Sequence, residues 1–381
     1  MVDEASQCTV SDLIPLLYRA KRALVIGDPN QLQPVHPLDP DEDRRIRATH
    51  QLREQWLEDR SLIHSGSSAY HAAASALAGS GGEVLWLDEH YRCHPDIVTP
   101  VNRRFYAGRL AVCTWTADLA VAPDRAVRWL DVQGRPERPD GRSCSNPEEV
   151  DQVAELVDEL DRTLPENADI GVVSPFRAQV REIERRLGTR VGDRIRVGTA
   201  YTSQGGERDV IVISPAAAQG VKRTTGDWAA RQQNLWNVAA TRAWAGLYVV
   251  GDREYWSERD GLLRDLAHGA DRADGPGLAE PRARLFEALG DAGAQPRVRV
   301  TRGGYTCDLQ ISTPYGDTAV FVDTAGGGDP GALDPGRTLQ RSVDEAVLFE
   351  QMSGLRTVMR VPAWRCLAEP KAVCDELRVG G

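Results

Sequence analysis

Four short apolar runs decide most of what this chain can fold into: ALVI at 23–26, IGVV at 170–173, DVIVI at 209–213 and GLYVV at 246–250. Each is followed at once by polar or turn residues. Runs this short and without alternation suit strands buried on both faces, as in a parallel sheet covered by helices. Between them the period changes. Val150, Val153, Leu156, Val157 and Leu160 share one helical face, as do Phe176, Val180, Ile183 and Leu187. Strand and helix alternate, which predicts an α/β fold for the middle of the chain.

Around 257–281 the text becomes polar and rich in Gly and Ala (SERDGLLRDLAHGADRADGPGLAEP), and a linker is expected there. The expected organisation is a partial first domain over 1–85, a second domain over 86–256, the linker, and a small separate domain over 282–381. At 381 residues the chain is long enough for two or three cores. No apolar run approaches the ~20 residues needed to span a bilayer, and no basic-then-apolar leader follows Met1, so a cytoplasmic protein with no membrane contact is expected. The seven cysteines are scattered, none in a CxxC pair, and suggest neither a zinc ribbon nor a disulfide framework. A net charge of −10 argues against a surface that traps polyanions everywhere, but leaves room for a local basic groove.

Chemistry is concentrated in five stretches. GDPNQLQPV at 27–35 follows a buried-type strand, so its Gly-Asp sits at the C-terminal edge of a sheet, where α/β proteins bind ligands. VDEASQ (2–7) precedes it; LDEHYRCHPDI (87–97), VGTAYTSQGGERDVIVIS (197–214) and NVAATRAWAGLYVVGD (237–252) follow. Singly, each has a plain structural explanation: Gly-Asp-Pro-Asn is a good turn, and a lone arginine is usually a solvated one.

Together, VDEASQ, GDPNQLQP, HYRCHP, TSQGGERD and NVAATRA resemble, in order, motifs II, III, the Tyr-Arg motif, V and VI of superfamily 1 helicases. The branch is that of the RNA-surveillance helicase and the Okazaki-fragment nuclease-helicase, and SPFRAQ at 174–179 is similar to its motif IV segment. The resemblance covers about residues 1–256 and implies a RecA-like P-loop NTPase fold, its first domain incomplete and its second complete. It implies ATP and Mg²⁺ as cofactors and single-stranded DNA or RNA as partner. Asp3 would hold Mg²⁺ through its water shell, Glu4 would orient and deprotonate the attacking water, and Gln7 and Gln31 would sense the γ-phosphate. Arg92 and Arg242 would serve as arginine fingers, for which a guanidinium suits by its permanent charge and forked donors. Tyr91 would stack on the base and Glu207 would bond the ribose region, while Gly27, Asp28, Gln204 and Gly205 fall in the same nucleotide-binding motifs. Ser174, Pro175, Thr202 and Ser203 would touch the nucleic-acid backbone. Two departures stand out: His90 where the family usually has Gln, and Gly206 where Lys, Arg or Ser is common.

One essential piece is missing from the text. A P-loop needs a Gly-Lys pair, but Lys21, Lys222 and Lys371 follow Ala20, Val221 and Pro370. All other basic residues are arginines. A separate chain carrying the P-loop half is therefore an expected partner, and the chain by itself is expected to hydrolyse ATP weakly or not at all.

The tail holds a fainter resemblance. LFEALGDAGA, YTCDLQI, DTAVFVDT and GLRTVMRVPAW look like a small α/β restriction-endonuclease-like domain. It would place Glu287, Asp308 and Asp323 at acidic positions, with Asp308 and Asp323 as metal ligands. Phe321 and Thr324 stand where such a site has Glu and Gly, and no lysine is near, so a degenerate domain is expected. Three readings follow: part of an ATP-dependent helicase, a binding module without catalysis, and a metal-dependent nuclease working through the tail.

Overall fold

The computed structural model describes residues 1–381 apart from 37, 115, 122–124, 140, 142, 202–205, 270–279, 314–315, 324–334, 356 and 378–381, with the backbone alone at 117, 280, 335–339 and 341. The described residues form two compact units. One is Met1–Leu87 with Gln232–Val238; the other is Asp88–Arg231 with Ala239–Gly381.

The first unit contains little regular sheet. Val2 and Val25 make one parallel bridge, and Val2 N–H to Leu24 O, Ile26 N–H to Val2 O and Ala5 N–H to Ile26 O extend it, each at 2.8 Å. Helix Val10–Arg19 starts at Thr9, which accepts from the Asp12 N–H while the Asp12 carboxylate accepts from the Thr9 N–H. Ser68 caps helix Ala69–Gly79. The core between these elements is small, built on Ala5, Leu13 and Ala69 with Val2, Val25 and Tyr70 packed against it.

In the second unit, the two-residue strands β1 (Glu89–His90) and β2 (Ala111–Val112) pair in parallel. The main sheet comprises β3 (Val127–Asp131), β4 (Ile170–Val173), β5 (Ile195–Gly198), β6 (Arg208–Ile213) and β7 (Ala243–Gly251). All are parallel, in the order β3-β7-β6-β4-β5. The apolar runs at 170–173, 209–213 and 246–250 lie in its three inner strands; the run at 23–26 contributes only the Val25 bridge. Helix Pro147–Thr163 begins at an Asn146 cap and buries Val150, Val153, Leu156, Val157 and Leu160 against the sheet. Full burial of side chains of this size stabilises by roughly 2 kcal/mol each.

Residues 262–269, expected within a linker, instead form helix Leu262–Gly269 with Leu262, Leu263, Leu266 and Ala267 buried. Those four share one helical face, a pattern that the surrounding Gly, Ala and Asp residues obscure in the sequence.

The tail contributes a second sheet, β8 (Arg297–Arg302), β9 (Tyr305–Thr313), β10 (Gly316–Asp323) and β11 (Thr357–Pro362), in the order β11-β10-β9-β8. The first three strands are antiparallel neighbours, while β10 and β11 are parallel with helix Pro335–Ser353 between them in the chain. The turn between β8 and β9 is Gly303-Gly304, both at positive φ (55° and 84°), as a two-residue hairpin requires. It packs inside the second unit: a Cβ on Gly304 would sit 2.6 Å from the His94 ring. Thr116 Oγ1 donates to Gly303 O at 2.7 Å, and the Tyr305 hydroxyl donates to Thr114 O. Among the described residues no helix is long and apolar enough to cross a membrane.

Candidate active site

In the first unit the Val2–Val25 bridge sets two loops side by side, VDEASQ and GDPNQ. Gly27 is required by that approach, since a Cβ there would lie 2.8 Å from the Ser6 nitrogen. Asp3 and Glu4 are exposed, and Asp3 Oδ1 accepts from the Glu4 N–H at 2.9 Å. Glu4 occupies the left-handed region (φ 51°), a strain worth about 1 kcal/mol or more that concentrates at functional positions. Gln7 Nε2 donates to Glu4 Oε2 at 2.9 Å, so the expected water-orienting carboxylate and γ-phosphate sensor hold each other. Asp28 Oδ1 accepts from the Asn30 N–H at 2.9 Å and its Oδ2 from Gln31 Nε2 at 3.1 Å, which fixes the second sensor glutamine.

Two residues without an assigned role in the sequence pin this loop. Asn234 Nδ2 donates to Pro29 O (3.0 Å) and Gln31 O (2.7 Å), and Asn237 Nδ2 donates to Asn30 O (2.8 Å). Three successive carbonyls are thus satisfied from one face of helix Gln233–Ala240, the i,i+3 spacing of the two asparagines matching it. That spacing is visible in NLWN but points to no partner.

In the second unit the Tyr-Arg segment is stitched to the start of β7. Cys93 Sγ donates to Thr241 O at 3.2 Å and His94 N–H to Trp244 O at 2.6 Å, while Arg242 O accepts from the Arg208 N–H at 3.0 Å. Arg92 lies 2.7 Å from Glu207, whose other oxygen accepts from Trp244 Nε1 at 3.0 Å. Arg92, Glu207 and Trp244 therefore form one cluster at the N-terminal ends of β6 and β7. Trp244 escaped the sequence reading because a strand tryptophan reads as core, whereas this one sits on a strand position facing outward.

His90 takes a place usually held by Gln. Its Nε2 accepts from the Cys93 N–H at 2.9 Å, and burial followed by the Arg92 charge lowers its pKa to about 4, keeping that nitrogen free to accept. A Gln side-chain oxygen would serve the same N–H. Tyr91 is 65% exposed, its hydroxyl donating to Glu89, whose hydrogen bond raises the phenol pKa to about 12; its ring is no core aromatic and has a free face for stacking.

Other expected site residues are placed differently. Ser174 and Pro175 are buried at the end of β4, the Ser174 hydroxyl accepting from the Phe176 N–H at 3.4 Å, so neither side chain meets the surface expected of a strand contact. A buried polar network is found nearby. Glu149, fully buried, accepts from Ser214 Oγ and the Ala216 N–H, both at 2.8 Å, and Gln179 Nε2 donates to Ser214 Oγ at 2.9 Å. The network lies just past the C-terminal ends of β4 and β6, where the Ser214 N–H donates to Val173 O at 2.9 Å. Thr202, Ser203, Gln204 and Gly205 lie outside the described residues.

In the tail, both carboxylates read as metal ligands are already committed to the protein. Asp308 pairs with Arg282 and accepts from the Val322 N–H at 2.7 Å; Asp323 accepts from Arg360 at 2.7 Å and Ser342 Oγ at 2.5 Å. Each of the two carboxylates thus carries an arginine partner, whose charge disfavours a cation at the same oxygens. Phe321 packs edge-on to Phe349 at 5.5 Å in an apolar cluster, Glu287 is exposed, and Thr324 lies outside the described residues.

The five-stranded parallel sheet of the second unit is that of a RecA-like domain. Residues 1–36 and residues 71–254 each match an AAA domain family. Helicase SEN1 of Saccharomyces cerevisiae is 29% identical over 290 residues, covering 71% of this chain and 12% of that protein. Helicase sen1 of Schizosaccharomyces pombe is 28% identical over 272 residues, covering 67% and 14%. Over this region the chain belongs to the superfamily 1 helicases, and it spans less than a sixth of the length of these relatives. The solved structure of the PRRSV helicase aligns over 100% of this chain and 50% of that one at 14% identity with a TM-score of 0.34, too low to bear on the fold.

Proposed function

We propose that the chain supplies the part of an ATP-dependent superfamily 1 helicase from motif II onward, acting on single-stranded DNA or RNA, and that a segment bearing a P-loop completes it. The observation that carries this reading is the Val2–Val25 bridge, which sets the exposed Asp3–Glu4 pair beside Gly27–Asp28. The exposed carboxylate of Asp3 fits a cation held through its water shell; Mg²⁺, when bound, supplies positive charge to the phosphate oxygens. Glu4, steadied by Gln7, orients the attacking water and takes its proton. Gln31, held by Asp28, reads the γ-phosphate. Arg92 and Arg242 contribute positive charge to the transition state, and Arg92 must leave Glu207 to do so. Glu207 is thus a holding partner for the finger as well as a ribose contact.

A missing P-loop half also accounts for the apolar surface of the first unit, where Leu85 and Leu87 are 93% and 87% exposed. The tail we read as a restriction-endonuclease-like module used for binding or packing. Its helix, three antiparallel strands, helix and parallel strand support that reading, and the arginine pairs on Asp308 and Asp323 support its lack of catalysis.

The test is ATP hydrolysis by the 381-residue chain alone and mixed with a P-loop segment of a related helicase, with and without single-stranded DNA or RNA. Strand-stimulated hydrolysis is expected in the mixture only, and Arg242→Ala should lower it by about 10³-fold or more. Turnover by the chain alone would overturn the need for a P-loop partner. An Arg242→Ala variant as active as the wild type would overturn the motor reading.

A further inference from the structure

A large cleft in the second unit meets the helicase motif stretches only at Pro95 and Asp96, and touches none of the residues given a role above. About 1250 Å³ in volume, it lies among helix Pro95–Phe105, the approach to β3, helix Leu262–Gly269 and the β8–β9 hairpin of the tail. Five arginines line it (Arg103, Arg104, Arg125, Arg264 and Arg299), against the carboxylates of Asp96, Asp265 and Glu345. In a chain of net charge −10 this reverses the prevailing sign. Arg104 is held by Asp265 at 2.8 Å, and Arg264 lies 3.6 Å from Asp260. Arg103, Arg125 and Arg299 are exposed and have no ion pair among the described residues. Arg103 lies on helix Pro95–Phe105, Arg125 just before β3 and Arg299 on β8, so the tail hairpin adds one arginine to a wall begun by the helicase part. Arg299 is moreover held at φ 50°, a backbone strain that keeps company with ligand sites.

We propose that this cleft binds the sugar-phosphate backbone of single-stranded nucleic acid. The inference rests on the helicase reading above and adds to it a strand-holding site built jointly by the tail. The cleft exceeds the roughly 300–1,000 Å³ usual for a single small ligand, which favours a polymer. Its lining tyrosine, Tyr305, is buried with its hydroxyl committed to Thr114 O and does not stack on bases. Contacts made by guanidinium to phosphate alone carry no sequence information, and binding here is sequence-independent and salt-sensitive.

The experiment is fluorescence anisotropy of labelled 30-nucleotide dT and rU oligomers with the full chain, over a series of salt concentrations. Arg103→Ala/Arg125→Ala/Arg299→Ala is compared with a control triple at exposed arginines elsewhere, Arg44→Ala/Arg185→Ala/Arg196→Ala. Three lost phosphate contacts should flatten the log–log salt slope by about 2 and weaken binding at least about tenfold at low salt. The control triple should bind like the wild type, and the Arg→Lys version of the cleft triple should retain the slope, since lysine keeps the charge. Thermal melts confirm that each variant folds. A cleft triple indistinguishable from the wild type would overturn the site while leaving the helicase reading intact. Failure of the wild-type chain to bind either oligomer would remove both.

Discussion

Glu149 is the residue whose chemistry departs furthest from its sequence appearance. Near the start of an amphipathic helix it reads as a first-turn carboxylate facing water, favoured there by the helix dipole. Instead it is buried beneath motif IV, and burial, with Asp252 adding to it, pushes its pKa up to about 8. The folded state therefore holds the proton more tightly than the unfolded chain. The stability this confers is fully present below the free-carboxylate range near 4.5 and is lost as pH rises through about 8. His90 and His94, both lowered to about 4 by burial, act oppositely and in a lower window, losing stability as pH falls below their usual 6.5. Between about pH 6.5 and 8 the urea midpoint of the wild type should fall, and Glu149→Gln should flatten that fall. An equally steep decline in the variant would show that other groups govern it. Glu149→Ala should destabilise at neutral pH by about 2 kcal/mol or more, since Ser214 and the Ala216 N–H lose their acceptor.

At the scale of elements, helix Gln233–Ala240 has two jobs at its two ends. Its first turns hold the carbonyls of residues 29–31 through Asn234 and Asn237, and just beyond its end comes Arg242. Removing the clamp should loosen the loop that carries Asp28 and Gln31. We expect Asn237→Ala to lower stability by about 1–2 kcal/mol by urea denaturation, and Asn234→Ala by about 1 kcal/mol. The effect of the pair should be less than additive, because both serve one loop. Full additivity would argue that the three carbonyl contacts are independent of one another.

For the whole molecule, the two units differ in how completely they bury their apolar residues. The second has a large core cluster against its five-stranded sheet; the first leaves Leu24, Leu85 and Leu87 exposed beside the small cluster of Ala5, Leu13 and Ala69. A unit in that condition tends to associate through whatever apolar surface it meets. The isolated chain is expected to self-associate at high concentration, and Leu85→Glu/Leu87→Glu should reduce this by light scattering without shifting the melting temperature of the second unit. Self-association unchanged by that pair would place the sticky surface elsewhere.

What the sequence determined by itself was whatever short-range pattern encodes. Runs such as IGVV and GLYVV suit strands buried on both faces, so the parallel sheet was legible from them, although the similar ALVI at 23–26 makes only a bridge. The helicase motifs were legible as strings, since a motif is residue type and order. Tertiary structure decided what depends on a partner far away in the chain. Asp308 and Asp323 carry the same carboxylate whatever stands beside them, and only the fold brings Arg282 and Arg360 to them. Trp244 became a holder of Glu207, and Asn234 and Asn237 became clamps. Hydrogen bonds and ion pairs act over about 3 Å in space and are blind to distance along the chain, so a sequence names the groups that can make them and the fold chooses the pairs.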